Sequence, residues 1–525
     1  MSQNVNVTIN GKSYSFPQGY TILQACKESN VYIPTLCYHP DLPEAGKCGL
    51  CVVMINETAY AYACVQKIAP NMHIDTVSPE VFAKARIALN NFIDLYSIPE
   101  SKDIEDICKY LNPKNTIRNR NADHSISVMF NPSECINCDR CTRACSDVQN
   151  IGALNELHPN LRTNECISCG LCIMVCPTRA LEEVSSIPQI YRALAKRKTL
   201  ILQIAPSVRV SLGELFGNPP GTVVTGKIIA AARQLGFSYV FDTNFGADMT
   251  IVEEGQEFLK RFEKKVRLPQ FTSCCPAWVN FVEKLHPELI PHLSSTKSPH
   301  MIVGTLVKTY FASIKMIDPD DIFLVSLMPC VAKKDEIARM QHADKVDAVI
   351  TTREFAKMIQ EFEISFNTLK DSDFDKMMGS SSGGGNIFGV TGGVTESCLR
   401  YLYQEITHTP LRNLEFKQLQ GLKAIREATI KIGDNNIKVA VCSGIAAARE
   451  FIESEDYKKY HFIEVMACPG GCAFGGGQPK YSSRTKALNR IQAIRNFDAN
   501  KEIKVCSDNP EVKDVYENFL ISPGS

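Results

Sequence analysis

Apolar and polar residues alternate at the start of the chain. Val5, Val7 and Ile9 are separated by polar residues, Asn10-Gly11 follows, and Ser13-Tyr14-Ser15-Phe16 resumes the alternation. This is the pattern of a β-hairpin. Residues 1–77 read as a small mixed sheet with a short helix near 21–29. From Ser78 the period changes: Val81, Ala85, Ala88 and Phe92 recur at helical spacing. A polar stretch over 113–124 reads as a linker, so 78–126 is expected to be a helical spacer and linker. From Thr199, short apolar runs at 200–204, 239–241, 322–325, 348–350 and 439–441 alternate with helical patterns. Such runs predict strands buried on both faces of an α/β domain over 199–490. Sites in such domains lie at the carboxyl ends of strands. The extension 491–525 is polar and carries no motif.

Composition narrows the function. The 57 Lys and Arg balance 57 Asp and Glu, which gives no electrostatic case for nucleic acid. No run of 18 apolar residues is present, so no membrane helix is expected. The N-terminus resembles neither a signal peptide nor a transit sequence. A cytoplasmic location is expected, with a hydrogenosomal one left open. The 22 cysteines then argue for metal ligation, because the cytosol keeps thiols reduced.

Spacing selects the metal. Cys135, Cys138, Cys141 and Cys145 recur as Cys166, Cys169, Cys172 and Cys176 followed by Pro177. This is the run of two-cluster ferredoxins, in which the fourth cysteine serves the other cubane. The sets are Cys135/Cys138/Cys141/Cys176 and Cys166/Cys169/Cys172/Cys145, in an α+β bacterial-type 2[4Fe–4S] domain over 127–190. Cys37, Cys48, Cys51 and Cys64, with Gly46 and Gly49 in the loop, are similar to the 2Fe–2S domain of respiratory complex I and related hydrogenases. Zinc is the rival for both groups. Cys26, Cys108, Cys398, Cys442 and Cys506 fit no motif and read as ordinary core or surface residues.

Three further cysteine segments lie far apart: TSCCPAW at 272–278, Met328-Pro329-Cys330, and 464–472 with Cys468 and Cys472. Cys274, Cys330 and Cys468 each follow an apolar run. Four thiolates converging from three loops suit an iron–sulfur cluster. Together with Ala205-Pro206-Ser207, Phe245-Gly246-Ala247-Asp248, Lys333-Lys334 and Gly475-Gly476-Gly477-Gln478-Pro479, these segments resemble the iron-only (FeFe) hydrogenases.

The resemblance implies a β-grasp 2Fe–2S domain, the ferredoxin domain and a two-lobed α/β catalytic domain. It implies reversible reduction of protons to H2, as a ferredoxin hydrogenase or as a subunit of an NAD(P)-linked complex. It also implies an H-cluster, a cubane joined through one cysteine to a di-iron unit with CO, cyanide and a bridging dithiolate. Cys275, Cys330, Cys468 and Cys472 would hold the cubane, with Cys472 bridging. Lys333 is near enough to face one cyanide, and Ser207 with Pro206 the other. Met328 and Met466 would pack on CO, and the glycines would let backbone approach. Cys274 would pass protons along a path through Glu254 and Ser294 to Glu257.

Larger relatives carry a further cubane with H-x3-C-x2-C-x5-C ligands. The corresponding stretch here, 88–108, has no histidine and only Cys108, so that cluster is expected to be lost. The 2Fe–2S domain would then reach the relay directly or dock a partner. The loop between Cys145 and Cys166 is expected to be trimmed. Expected partners are ferredoxin or flavin subunits that oxidise NAD(P)H, and hydrogenase maturation proteins. A non-catalytic iron–sulfur assembly protein and an H2-sensing homologue are the rivals.

Overall fold

The computed structural model describes residues 4–95, 106–107, 110–111, 123–154, 165–342, 345–411, 416–418, 424–481 and 484–524. Cys108, most of the expected linker and the loop at 155–164 lie outside the described residues.

Strands β1 (Asn4–Ile9), β2 (Lys12–Pro17), β3 (Val52–Ile55), β4 (Ala59–Tyr62) and β5 (Met72–Asp75) form one sheet in the order β2-β1-β5-β3-β4. β1 pairs antiparallel with β2 and parallel with β5. The helix Ile22–Glu28 packs on this sheet and is started by a capping box between Thr21 and Gln24. The helix Pro79–Leu95 turns Ala85 and Leu89 toward Leu36 and Leu50. The same apolar cluster holds Cys37 and Cys48 together with Ile136 and Cys138. Thus the first cysteine loop packs directly on the next unit. Arg143 donates to the carbonyls of Cys37 and Pro43, and Lys47 pairs with Asp139 across the same seam.

That next unit carries the sheet β6 (Asp123–His124), β7 (Val128–Phe130) and β8 (Leu181–Glu183). The cysteine repeat is also a backbone repeat. Asn137 and Asp139 in the first quartet, and Ser168 and Gly170 in the second, all have positive φ. At Gly170 glycine is required twice over, because a Cβ would also lie 2.3 Å from Val331.

Two sheets frame the rest. β9 (Thr199–Ile204), β10 (Tyr239–Asp242), β12 (Ile322–Met328) and β13 (Ala348–Thr351) are parallel, in the order β10-β9-β12-β13. β11 (Gln270–Phe271), β17 (Phe462–Met466), β16 (Asn435–Ser443), β15 (Ile425–Ile432) and β14 (Lys417–Gln418) form the second, parallel from β11 to β16 and antiparallel beyond. β17, the apolar run that precedes Cys468, carries Glu464. That carboxylate is fully buried and accepts from the amides of Gly392 and Thr395, at the start of the helix Gly393–Thr407.

The polar C-terminal segment is an integral part of this core. Arg490 is wholly buried and forms a two-pronged pair with Glu214, each bond 2.6 Å. It also donates to the carbonyls of Ala473 and Pro479. Val505, Cys506, Val512 and Val515 join the main apolar cluster. Single buried positions spaced among polar ones left no periodic signal. Among the described residues no helix is long and apolar enough to cross a membrane.

Candidate active site

Four strand ends deliver the expected site residues. β9 leads into Pro206 and Ser207, β11 into Cys274 and Cys275, β12 into Cys330, and β17 into Cys468 and Cys472. The carboxyl ends of strands are where the sequence placed them. Trp278, fully buried, donates to the Thr272 carbonyl at 3.0 Å and pins the loop between β11 and the helix Pro276–Leu285.

Pro206, Ser207, Cys274, Cys275, Cys330, Cys468 and Cys472, with Met328, Lys333 and Met466, line one cavity. Burial pushes the thiols of Cys275, Cys330, Cys468 and Cys472 up, Cys330 to about 12. Mutual repulsion adds to burial at Cys330, Cys468 and Cys472. Four such thiolates need a cationic centre between them. Among the described residues no three His, Cys, Asp or Glu close on a single ion. Four buried thiols brought to one cavity from three loops are a donor set that fits an iron–sulfur cluster.

Gly471 and the triple glycine shape the rim. Gly471 has φ +91°, and a Cβ there would meet the Thr391 amide at 2.7 Å. A Cβ on Gly476 would lie 2.5 Å from the Cys169 carbonyl. The close approach at Gly476 is thus to the second relay loop.

Lys333 is buried on the short helix Ala332–Ile337. Its ammonium donates to the Cys274 carbonyl at 3.0 Å and pairs with Glu336 at 2.7 Å. Burial opposes the charge, but Glu336, with Cys330 and Cys274, keeps the Lys333 pKa raised. Glu336 also accepts from Ser298 (2.6 Å) and contacts His300 Nε2 at 2.8 Å. Burial alone would raise this carboxyl, yet Lys333 and His300 hold it well below the usual range. Two of the three ammonium donors are used, which leaves one for the cavity. Ser207 Oγ is buried with no partner among the described residues. An orphaned hydroxyl on the wall of this cavity suits an acceptor in the bound group.

The glutamates and the serine expected to carry protons lie near one another. The long helix Thr243–Lys264 carries both glutamates. Glu254 is almost fully buried, and one carboxyl oxygen has no partner among the described residues. Burial, with added repulsion from Glu257, lifts its pKa to about 8, opposed by its contact with Ser294. Ser294 Oγ donates to Glu257 Oε2 at 2.7 Å. Glu257 also accepts from Ser295 and Arg261 and lines an outer, open hollow. Cys274 faces the inner cavity, and burial and the Glu254 charge push its thiol up.

The relay cysteines fall into two neighbouring groups. Cys145 shares a cavity with Cys166, Cys169 and Cys172. Cys138 and Cys141 instead lie within electrostatic reach of Cys135 and Cys176. Cys169 lines the active-site cavity too, so the two sites adjoin there. Cys37, Cys48, Cys51 and Cys64 bring their thiols within hydrogen-bond contact of one another. Cys26, Cys398, Cys442 and Cys506 are buried in apolar cores. Sequence reasoning missed Glu336, although its i,i+3 spacing from Lys333 was a visible signal. It also missed Arg143 and Gln149, for which no local pattern exists.

Known proteins carry the same combination. The chain matches the C-terminal domain of the iron only hydrogenase large subunit over 198–476 and the iron hydrogenase small subunit over 484–525. It matches a 2Fe–2S cluster-binding domain over 2–79 and a 4Fe–4S dicluster domain over 129–182. It is 39% identical to the NADP-reducing hydrogenase subunit HndD of Solidesulfovibrio fructosivorans, covering 99% of this chain and 96% of that one. Iron hydrogenase 1 of Clostridium pasteurianum is 38% identical, with 99% and 97% covered. A solved structure of a variant of [FeFe]-hydrogenase HydA1 from Chlamydomonas reinhardtii superposes with a TM-score of 0.60 at 34% identity, over 65% of this chain and 96% of that one. Near-complete coverage at this identity, on a fold whose strand ends carry the matching cysteines, places the chain in the iron-only hydrogenase family.

Proposed function

We propose that this chain interconverts protons and H2 with Cys275, Cys330, Cys468 and Cys472 as the cubane ligands, Cys472 also bridging to the di-iron unit. The observation that carries this reading is the convergence of those four thiols with Cys274, Lys333 and the orphaned Ser207 hydroxyl on one cavity. The bound cluster supplies the redox centre and internal base at which hydrogen is formed or split.

The chain's own residues supply the rest. Glu257 Oε2 takes a proton from the outer hollow and passes it through Ser294 Oγ. Glu254, with a pKa near 8, holds and releases it at working pH. Cys274 Sγ completes the path at the cavity wall. Lys333 and Ser207 would offer donors to the two cyanides, and Met328 and Met466 would supply apolar packing beside CO. Cys37/Cys48/Cys51/Cys64 would hold the 2Fe–2S cluster, and the two crossed quartets would hold the relay cubanes.

The order β2-β1-β5-β3-β4 with its capping helix supports a β-grasp reading of the first unit. The two sheets that meet at the cavity support a two-lobed catalytic unit. Similarity over nearly the whole chain to a subunit of an NADP-reducing hydrogenase supports flavin and NAD(P)H-oxidising subunits as partners, with ferredoxin as the rival. Maturation proteins would install the di-iron unit, in the cytoplasm.

Infrared spectra of the matured protein test the cluster, since CO and cyanide bands are expected and their absence would favour an assembly role. Cys274→Ala should keep those bands and lose most turnover. Near-normal H2 evolution would refute the proton role.

A further inference from the structure

Gln149 is a buried polar side chain beside the second relay site, and neither the ligand sets nor the proton path uses it. It follows Cys145 by four residues and is 1% exposed. Its Nε2 donates to the Ala467 carbonyl at 2.9 Å, next to Cys468. Its Oε1 accepts from the Ile445 amide at 3.2 Å, where β16 gives way to the helix Ile445–Glu453. Gly444 in turn donates to the Met466 carbonyl at 2.8 Å, so one amide group fastens the ends of β16 and β17. The same side chain lines the cavity of Cys145, Cys166, Cys169 and Cys172. Its side chain lies beside the Cys169 thiol, near enough to favour the thiolate there.

We propose that Gln149 is a positioning and tuning residue for electron transfer: it fixes the second relay site against the Cys468 loop and raises that relay cluster's reduction potential. The proposal rests on the ligand sets given above. During hydrogen formation one electron leaves the relay site, which is oxidised, and reduces the active-site cubane. No bond forms or breaks in that step. An N–H donor to a cluster thiolate favours the more negative, reduced form. Its second N–H, on Ala467, holds the acceptor site at a fixed distance.

The test is a potentiometric EPR titration of the intact holoenzyme as wild type, Gln149→Leu and Gln149→Glu. Wild type should show two relay cubane signals. Gln149→Leu should move one of them negative, by up to about tenfold in its reduction equilibrium, or about 59 mV for one electron. Gln149→Glu keeps the shape but adds like charge, so the same signal should move further in that direction. The other relay signal and the infrared bands should stay in place. Relay potentials unmoved in both variants would overturn the proposal, as would a shift confined to the other relay cluster. A wild type without two relay signals would overturn the ligand assignment and this proposal with it.

Discussion

The Lys333 ammonium donates to the backbone carbonyl of Cys274 at 3.0 Å, so the cation proposed to face a cyanide also fixes the proposed proton carrier. Its ion pair with Glu336 is buried on both sides. Lys333→Met therefore removes one partner of a buried pair, which costs about 3–5 kcal/mol. The expected result is a markedly lower unfolding midpoint in the cluster-free protein. Lys333→Met combined with Glu336→Gln should regain most of the loss, because the stranded carboxylate is gone. A double variant no more stable than the single one would show that the pair is not what holds this loop.

Glu254 predicts a pH dependence of defined sign. Its carboxyl ordinarily titrates near 4.5 and is lifted to about 8 here, chiefly by burial. Between those values the unfolded chain has lost this proton and the folded chain keeps it. Stability from this group therefore falls as pH rises from about 4.5 to about 8, then levels off. Glu254→Gln should flatten that part of the stability profile. In the matured enzyme the same change should lower H2 evolution by about 100-fold or more, the scale of a lost proton carrier, with iron content unchanged. Retained turnover would exclude Glu254 from the path.

Much of this site could be read from the sequence because its chemistry is concentrated in short cysteine segments. The crossed relay quartets, the Cys274/Cys275 pair and the Glu254/Glu257 helix face all depend on local spacing. What stayed hidden depends on distant pairing. Gln149 meets Ala467 across 318 residues, and Arg490 meets Glu214 across 276. Neither leaves a period or a motif. The burial of Glu464 in β17 was hidden for a related reason: it reads as a surface charge until the amides of Gly392 and Thr395 are folded onto it.

Ser207 should change sign with cluster loading. A buried hydroxyl without a partner costs about 1–3 kcal/mol. Ser207→Ala should therefore leave the cluster-free protein as stable as wild type or up to about 1 kcal/mol more so. In the matured protein the hydroxyl gains its acceptor, so the same variant should be less stable and should shift one cyanide band. Calorimetry of both forms, with infrared spectra of the second, measures this. Equal effects in the two forms would remove Ser207 from the cluster's contacts.

Arg143 sits where electrons cross from the 2Fe–2S unit to the relay. It donates to the carbonyls of Cys37 and Pro43, and the Cys37–Cys48 loop packs on Cys138 below it. Hydrogen bonds from a charged group contribute about 1.5–3 kcal/mol each. Arg143→Ala should loosen this seam without touching a ligand. The expected outcome is full cluster content, several-fold slower H2 evolution from a protein donor that docks on the 2Fe–2S unit, and little change with a small viologen that reduces the relay directly. The seam carries this weight because 88–108 offers Cys108 alone and no histidine for another cluster. An EPR signal from one more cubane, beyond the two relay clusters and the active site, would give electrons a second route and defeat the prediction.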